Sequence, residues 1–110
     1  IDFDYYEPLD PVRETERQLI TYSESKSYDL IMSVGFSSKS SLEKVAREYP
    51  KQKYAIIDEI VSDSRNITSI TFNVEEESFL AGAVAALMTK TDKVAFIGGV
   101  KAPLITRYEA

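Results

Sequence analysis

Between Leu30 and Val34 four residues in five are apolar, and the run ends at Gly35, followed by Phe36 and a cluster of serines around Lys39, "GFSSKS". An apolar run of strand length without polar alternation is the pattern of a strand buried on both faces, as in a parallel sheet covered by helices. A second short run, "YAII" at residues 54–57, stops at Asp58 and Glu59, and "NITSITF" at 66–72 alternates in strand fashion.

Helical patterns separate these runs. Asp10 and Pro11 pair an N-cap with a residue preset for the first helical position, and Val12, Leu19 and Ile20 supply an apolar face reaching Tyr22. Ser37 or Ser38 can cap the next helix, in which Leu42, Val45, Ala46 and Tyr49 recur at helical spacing before Pro50 stops it. Asn73 opens a third helix as an Asx cap, with Glu76 placed for a capping box, an acidic first turn and Lys90 in the last turn. Its Phe79, Leu80, Ala83, Val84 and Leu87 form an apolar face expected to pack into the core.

Residues 1–6 alternate apolar and acidic and read as a strand near a sheet edge, ended by Pro8; "KVAFI" at 93–97 reads as the last strand, ending at Gly98 and Gly99. Residues 103–110 form a further helical segment. Strand and helix alternating at this spacing mean an α/β fold with a mostly parallel open sheet flanked by helices. At 110 residues and 44% hydrophobic, the chain can bury one core, so it is one domain or part of one.

The chain has no cysteine and no histidine, which excludes a disulfide framework, a thiolate or histidine zinc site and a histidine general base. A net charge of -5 with both signs interspersed argues against a nucleic-acid surface. No apolar run approaches the ~20 residues of a membrane-spanning helix. The acidic opening "IDFDYYEP" is unlike a signal peptide, so any targeting segment is expected outside residues 1–110.

In an open parallel sheet, ligands sit beyond the carboxyl ends of the strands. The residues there are Gly35 and Phe36, Asp58 and Glu59, and Gly98 and Gly99: glycines for close approach, one aromatic and two carboxylates. This inventory suits a small polar ligand with a flat ring. The aromatic face stacks on the ring, and a carboxylate accepts from sugar hydroxyls or ring N–H groups, about 1.5 to 3 kcal/mol for each charged hydrogen bond.

Two other readings of "GFSSKS" stand beside it. One is a phosphate cradle at a helix N-terminus, although the G-x-x-x-x-G-K-[ST] pattern is absent. The other is purely structural, with Gly35 ending a strand, the serines capping a helix and Phe36 packing under its loop. Asp58 is likewise either a ligand carboxylate or a turn former. Glu75, Glu76 and Glu77 fit a helix's first turn, where the dipole welcomes carboxylates, so neither a metal site nor a cofactor is expected. Without His or Cys no nucleophile-base pair assembles, and Asp58 and Glu59, adjacent at a strand end, would point to opposite sides. A binding protein is expected rather than an enzyme.

The blocks "DLIMSVGF", "EKVAREYPKQKYAIID", "EEESFLAGAVAALMTKTDKVAFIGG" and "PLITRYEA" make residues 28–110 resemble the basic membrane protein family, the purine-nucleoside-binding lipoproteins of bacterial ABC importers. The resemblance implies a type I periplasmic binding protein fold, two α/β lobes of flavodoxin-like topology closing on a ligand, with residues 1–110 as a partial N-terminal lobe. It implies that Gly35, Phe36, Asp58, Gly98 and Gly99 line the ligand cleft, Asp58 hydrogen-bonding a purine nucleoside. It further implies ABC permease subunits as partners and an extracytoplasmic, lipid-anchored location for the parent protein.

Two departures accompany it: Glu77 stands where the family pattern has Gly, and Phe79 where it has Tyr. The family's first strand, with its Asp and Ser-Phe-Asn segment, is not present either. In the order 2-1-3-4-5 that strand lies between the strands expected at 1–6 and 28–34. Its loss leaves an open seam, so residues 1–110 alone are expected to re-pair those strands, exchange strands with a second copy, or be poorly stable. A ligand-sensing regulator of the same fold, acting in transcriptional control, is the alternative function. A lipoprotein signal upstream would favour transport, and a DNA-binding segment there would favour regulation.

Overall fold

The computed structural model describes residues 1–109, with Val12 described by its backbone alone. Two compact units divide the chain, one over Ile1–Thr71 and a second beginning at Phe72.

The first unit opens with helix α1 (Pro11–Ser25). Asp10 starts it as read from sequence: the amide of Arg13 donates to Asp10 Oδ1 at 3.3 Å and that of Glu14 to the Asp10 carbonyl at 2.9 Å. The helix continues three residues beyond the expected Tyr22. Strand β1 (Ile31–Val34) follows, then a 3₁₀ turn (Phe36–Ser38), helix α2 (Lys39–Glu48), strand β2 (Tyr54–Ile57) and strand β3 (Ile67–Ile70).

The three strands form one parallel sheet in the order β1-β2-β3, with Ile31 opposite Tyr54 and Tyr54 opposite Ile67. The α/β, parallel reading is therefore borne out. The β2-to-β3 crossover is unusual in carrying no helix: residues 58–66 cross the sheet as a loop, where a parallel connection ordinarily spans a dozen or more residues. Two anchors let so short a link work. The Val61 amide donates to Ser69 Oγ at 2.9 Å, and Asn66 Nδ2 lies 3.0, 3.2 and 3.0 Å from the carbonyls of Ala46, Tyr49 and Gln52.

One face of the sheet is the core. Ile31, Tyr54 and Ile56 pack with Leu42, Val45 and Ala46 of α2 and Leu19 of α1, and Ile20, Tyr49, Val61 and Ile67 close the margins. Leu42 and Val45 are fully buried, as their spacing predicted. The other face departs from expectation. Met32 is 52% and Val34 64% exposed, so β1 is buried on one side and not on both. Its apolar character alone could not tell a doubly covered strand from one covered on a single side.

Residues 1–6 form no strand, a correction to the alternating pattern. Ile1, Phe3 and Tyr5 are exposed, and the segment does not pair with β1. A strand is completed by a neighbour's N–H and C=O groups, and β-forming residues do not supply that neighbour. Side chains tether the segment instead: Tyr28 donates to Asp4, and Tyr6 donates to Glu14 at 2.9 Å.

In the second unit, helix α3 (Val74–Met88) and helix α4 (Pro103–Tyr108) are joined by a fork. Arg107 Nε donates to Glu75 Oε1 at 2.5 Å, and a terminal nitrogen of its guanidinium donates to Glu75 Oε2 at 2.6 Å and to the Phe72 carbonyl at 3.3 Å. Asn73 occupies the expected cap position but makes no side-chain capping bond, and Lys90 lies beyond the last turn. Phe79, Leu80, Val84 and Leu87 are exposed rather than packed. Apolar residues lie on all sides of α3, the composition of a helix that requires cover all round. Residues 93–97 are not a strand, for the same reason as residues 1–6. The helix expected over 103–110 ends at Tyr108, and Ala110 lies outside the described residues.

Candidate functional site

The carboxyl ends of the three strands are level. Val34 stands opposite Ile57 and Ile57 opposite Ile70, so the residues that follow emerge side by side. The ladder continues one rung further: the Gly35 amide donates to the Ile57 carbonyl at 2.9 Å and the Asp58 amide to the Ile70 carbonyl at 2.9 Å. Adjacent strands lie about 4.8 Å apart, so Gly35 and Asp58 are neighbours at this edge.

Both residues turn sharply. Gly35 has φ 82° and ψ 165°, a region open to glycine and costly for other residues. A Cβ built there would meet no heavy atom within 4 Å, so the space above Gly35 is open. Asp58 has φ 61°, left-handed backbone that aspartate tolerates better than most residues. Its side chain is half-buried and makes no hydrogen bond or ion pair among the described residues.

Phe36 begins the 3₁₀ turn and is 43% exposed, so it does not pack away beneath its loop. Ser38 sits at the N-cap position of α2 but does not cap it. Its hydroxyl donates back to the Gly35 carbonyl at 2.9 Å, fixing the turn instead.

The fold joins Glu59 to Lys39, a pair that the order of residues along the chain does not announce. Lys39 Nζ lies 3.1 Å from Glu59 Oε1, which also accepts the Ile60 amide at 2.9 Å. Partial burial pushes the Glu59 carboxyl up, but the Ile60 amide and the Lys39 ammonium outweigh this and hold it below the usual range. An acidic residue after one parallel strand and a basic residue opening the helix after its neighbour is the signal that could have found the pair.

Gly98 and Gly99 belong to the second unit and follow no strand. Gly98 has a packing reason for being glycine, since a Cβ there would lie 2.7 Å from Ile105 Cγ2. Gly99 is open. Surface hollows lie on α1, at Arg13, Glu16 and Arg17, and at Glu43, Arg47 and Asp63, away from the strand ends.

With an open glycine, an exposed aromatic and a free carboxylate at one sheet edge, the geometry suits binding. The sequence matches the family described as ABC transporter substrate-binding protein PnrA-like over residues 5–110. The chain belongs to this family.

Its relatives include the CD4+ T-cell-stimulating antigen of Listeria monocytogenes, 46% identical over 76% of this chain and 23% of that protein. The ABC transporter nucleoside-binding protein BmpA of Lactococcus lactis is 40% identical over 79% of this chain and 25% of its own length. Among solved structures, an ABC transporter system solute-binding protein from Aeropyrum pernix superposes with a TM-score of 0.76 at 34% identity, covering 92% of this chain and 30% of the other. The chain thus spans about a quarter of the length of the curated relatives it matches.

Proposed function

We propose that this member of the PnrA-like family contributes part of the N-terminal lobe of an ABC transporter's substrate-binding component, and that the lobe takes a purine nucleoside at the carboxyl edge of its sheet. Phe36 stacks on the base, Asp58 accepts from ribose hydroxyls or ring N–H groups, and the bare backbone of Gly35 admits the ligand closely. The complete protein delivers its ligand to ABC permease subunits from an extracytoplasmic, lipid-anchored position.

The single observation that carries this reading is the register that sets Gly35 beside Asp58, whose carboxylate has no partner among the described residues. The nucleoside-binding name of the Lactococcus lactis relative supports the ligand class. No helix among the described residues is long and apolar enough to cross a membrane.

The test is calorimetric titration of guanosine, adenosine, inosine, cytidine and ribose into the full-length protein and its Asp58→Ala variant. Purine nucleosides are expected to bind, and Asp58→Ala to weaken them by at least about 1.5 kcal/mol. Binding of ribose alone, or of no nucleoside, overturns the assignment.

A further inference from the structure

The two loops that carry Gly35 and Asp58 are joined by one ion pair. Lys39 is the first residue of α2, directly after the Gly35 turn, and Glu59 follows Asp58. Their side chains are 37% and 20% exposed, and Glu59 Oε1 receives both the Lys39 ammonium at 3.1 Å and the Ile60 amide at 2.9 Å.

Asp58 is thereby held from both sides. On its N-terminal side its amide is fixed to the Ile70 carbonyl, and on its C-terminal side Glu59 is fixed to α2 and to the next amide. This matters because φ 61° is not where an aspartate rests without support. Released, the loop can relax toward ordinary right-handed or extended backbone, which swings the Asp58 carboxylate away from the edge it shares with Gly35.

We infer that Lys39 and Glu59 are positioning residues, a clamp between the loops after β1 and β2 that holds the Asp58 carboxylate in its ligand-facing orientation. The inference rests on the binding site proposed above. Neither residue needs to touch the ligand. Lys39 acts through Glu59, so the effects of losing either are not independent.

The experiment uses the full-length protein with Lys39→Met, Lys39→Arg, Glu59→Gln and the Lys39→Met/Glu59→Gln double variant. Inosine affinity is measured by calorimetry, Ile60 amide exchange on the ligand-free protein, and melting temperature as a check on folding. Lys39→Met and Glu59→Gln are each expected to weaken inosine about 3- to 10-fold, with the double variant no worse than either single change. Lys39→Arg, which retains the bridge, is expected to stay within about 2-fold of wild type. Ile60 exchange accelerates in Lys39→Met while the melting temperature holds.

Full additivity in the double variant, the mark of a lysine that contacts the ligand directly, overturns the clamp, as does unchanged Ile60 exchange in Lys39→Met. If the wild-type protein binds no nucleoside, the nucleoside reading falls by itself. The exchange measurement then decides the clamp alone: accelerated exchange upholds it and unchanged exchange removes it.

Discussion

The Tyr54 hydroxyl lies 2.6 Å from Ser23 Oγ, in the interior of the first unit, tying α1 to the central strand of the sheet. Ser23 spends its own hydrogen on the Leu19 carbonyl at 2.7 Å, which leaves Tyr54 as the donor between them. Burial pushes the Tyr54 phenol up.

The two ends of this bond are not equivalent. Tyr54→Phe removes a donor and leaves Ser23 bonded to Leu19, at an expected cost of about 1 kcal/mol. Ser23→Ala strands a phenol that is 1% exposed and is expected to cost more, about 1 to 3 kcal/mol. Urea unfolding of the two variants of the full-length protein checks the order, and equal losses would refute the donor assignment.

Gly35 tests backbone against space. Because no atom lies within 4 Å of a Cβ there, Gly35→Ala meets no clash, and its cost is conformational, about 1 to 3 kcal/mol. Asn, which eases the ordinary left-handed region, is expected to do no better, since ψ 165° lies outside that region. Urea midpoints that remain at the wild-type value would show that the turn carries no strain.

Asp58→Gly separates stability from binding. Glycine adopts φ 61° freely, so the variant is expected to be as stable as wild type or up to about 1 kcal/mol more stable. The same variant lacks the carboxylate and is expected to bind purine nucleosides as weakly as Asp58→Ala. Unfolding and titration on one preparation provide both numbers, and undiminished affinity would remove Asp58 from the site.

The Arg107 guanidinium, with a backbone amide, holds the Glu75 carboxyl below its usual value. A carboxyl lowered in the folded state stabilises it fully above the unfolded value, near about 4.3, and that contribution is lost as pH falls through the folded value. Amide exchange in α4 is therefore expected to accelerate as pH drops from 5 towards 3, beyond the intrinsic change. In Arg107→Met this additional acceleration disappears. Both side chains are partly exposed, Arg107 36% and Glu75 41%, so added salt reduces the effect, and a variant with the wild-type profile would exclude this pair as its cause.

Much of the fold was legible because its signals are local. Asp10 and Pro11 mark the start of α1, "YAII" coincides with β2, and the spacing of Leu42, Val45 and Ala46 picks out the buried side of α2. What failed depends on partners far along the chain. Residues 1–6 and 93–97 have strand-like composition without a paired neighbour. In the site, a parallel sheet places Gly35 and Asp58 at the same end, but only the lateral order of β1 and β2 sets them side by side and brings the Lys39 and Glu59 loops together.

Asn66 places the short β2-to-β3 crossover on a chemical footing of its own. Its amide group faces the carbonyls of Ala46, Tyr49 and Gln52, so it holds the loop only while it remains a donor. Deamidation would replace those donors with a carboxylate directed at three carbonyl oxygens, turning an anchor into a repulsion without changing the side chain's shape. Chemical ageing at this single nitrogen would thus release the link between α2 and the segment entering β3.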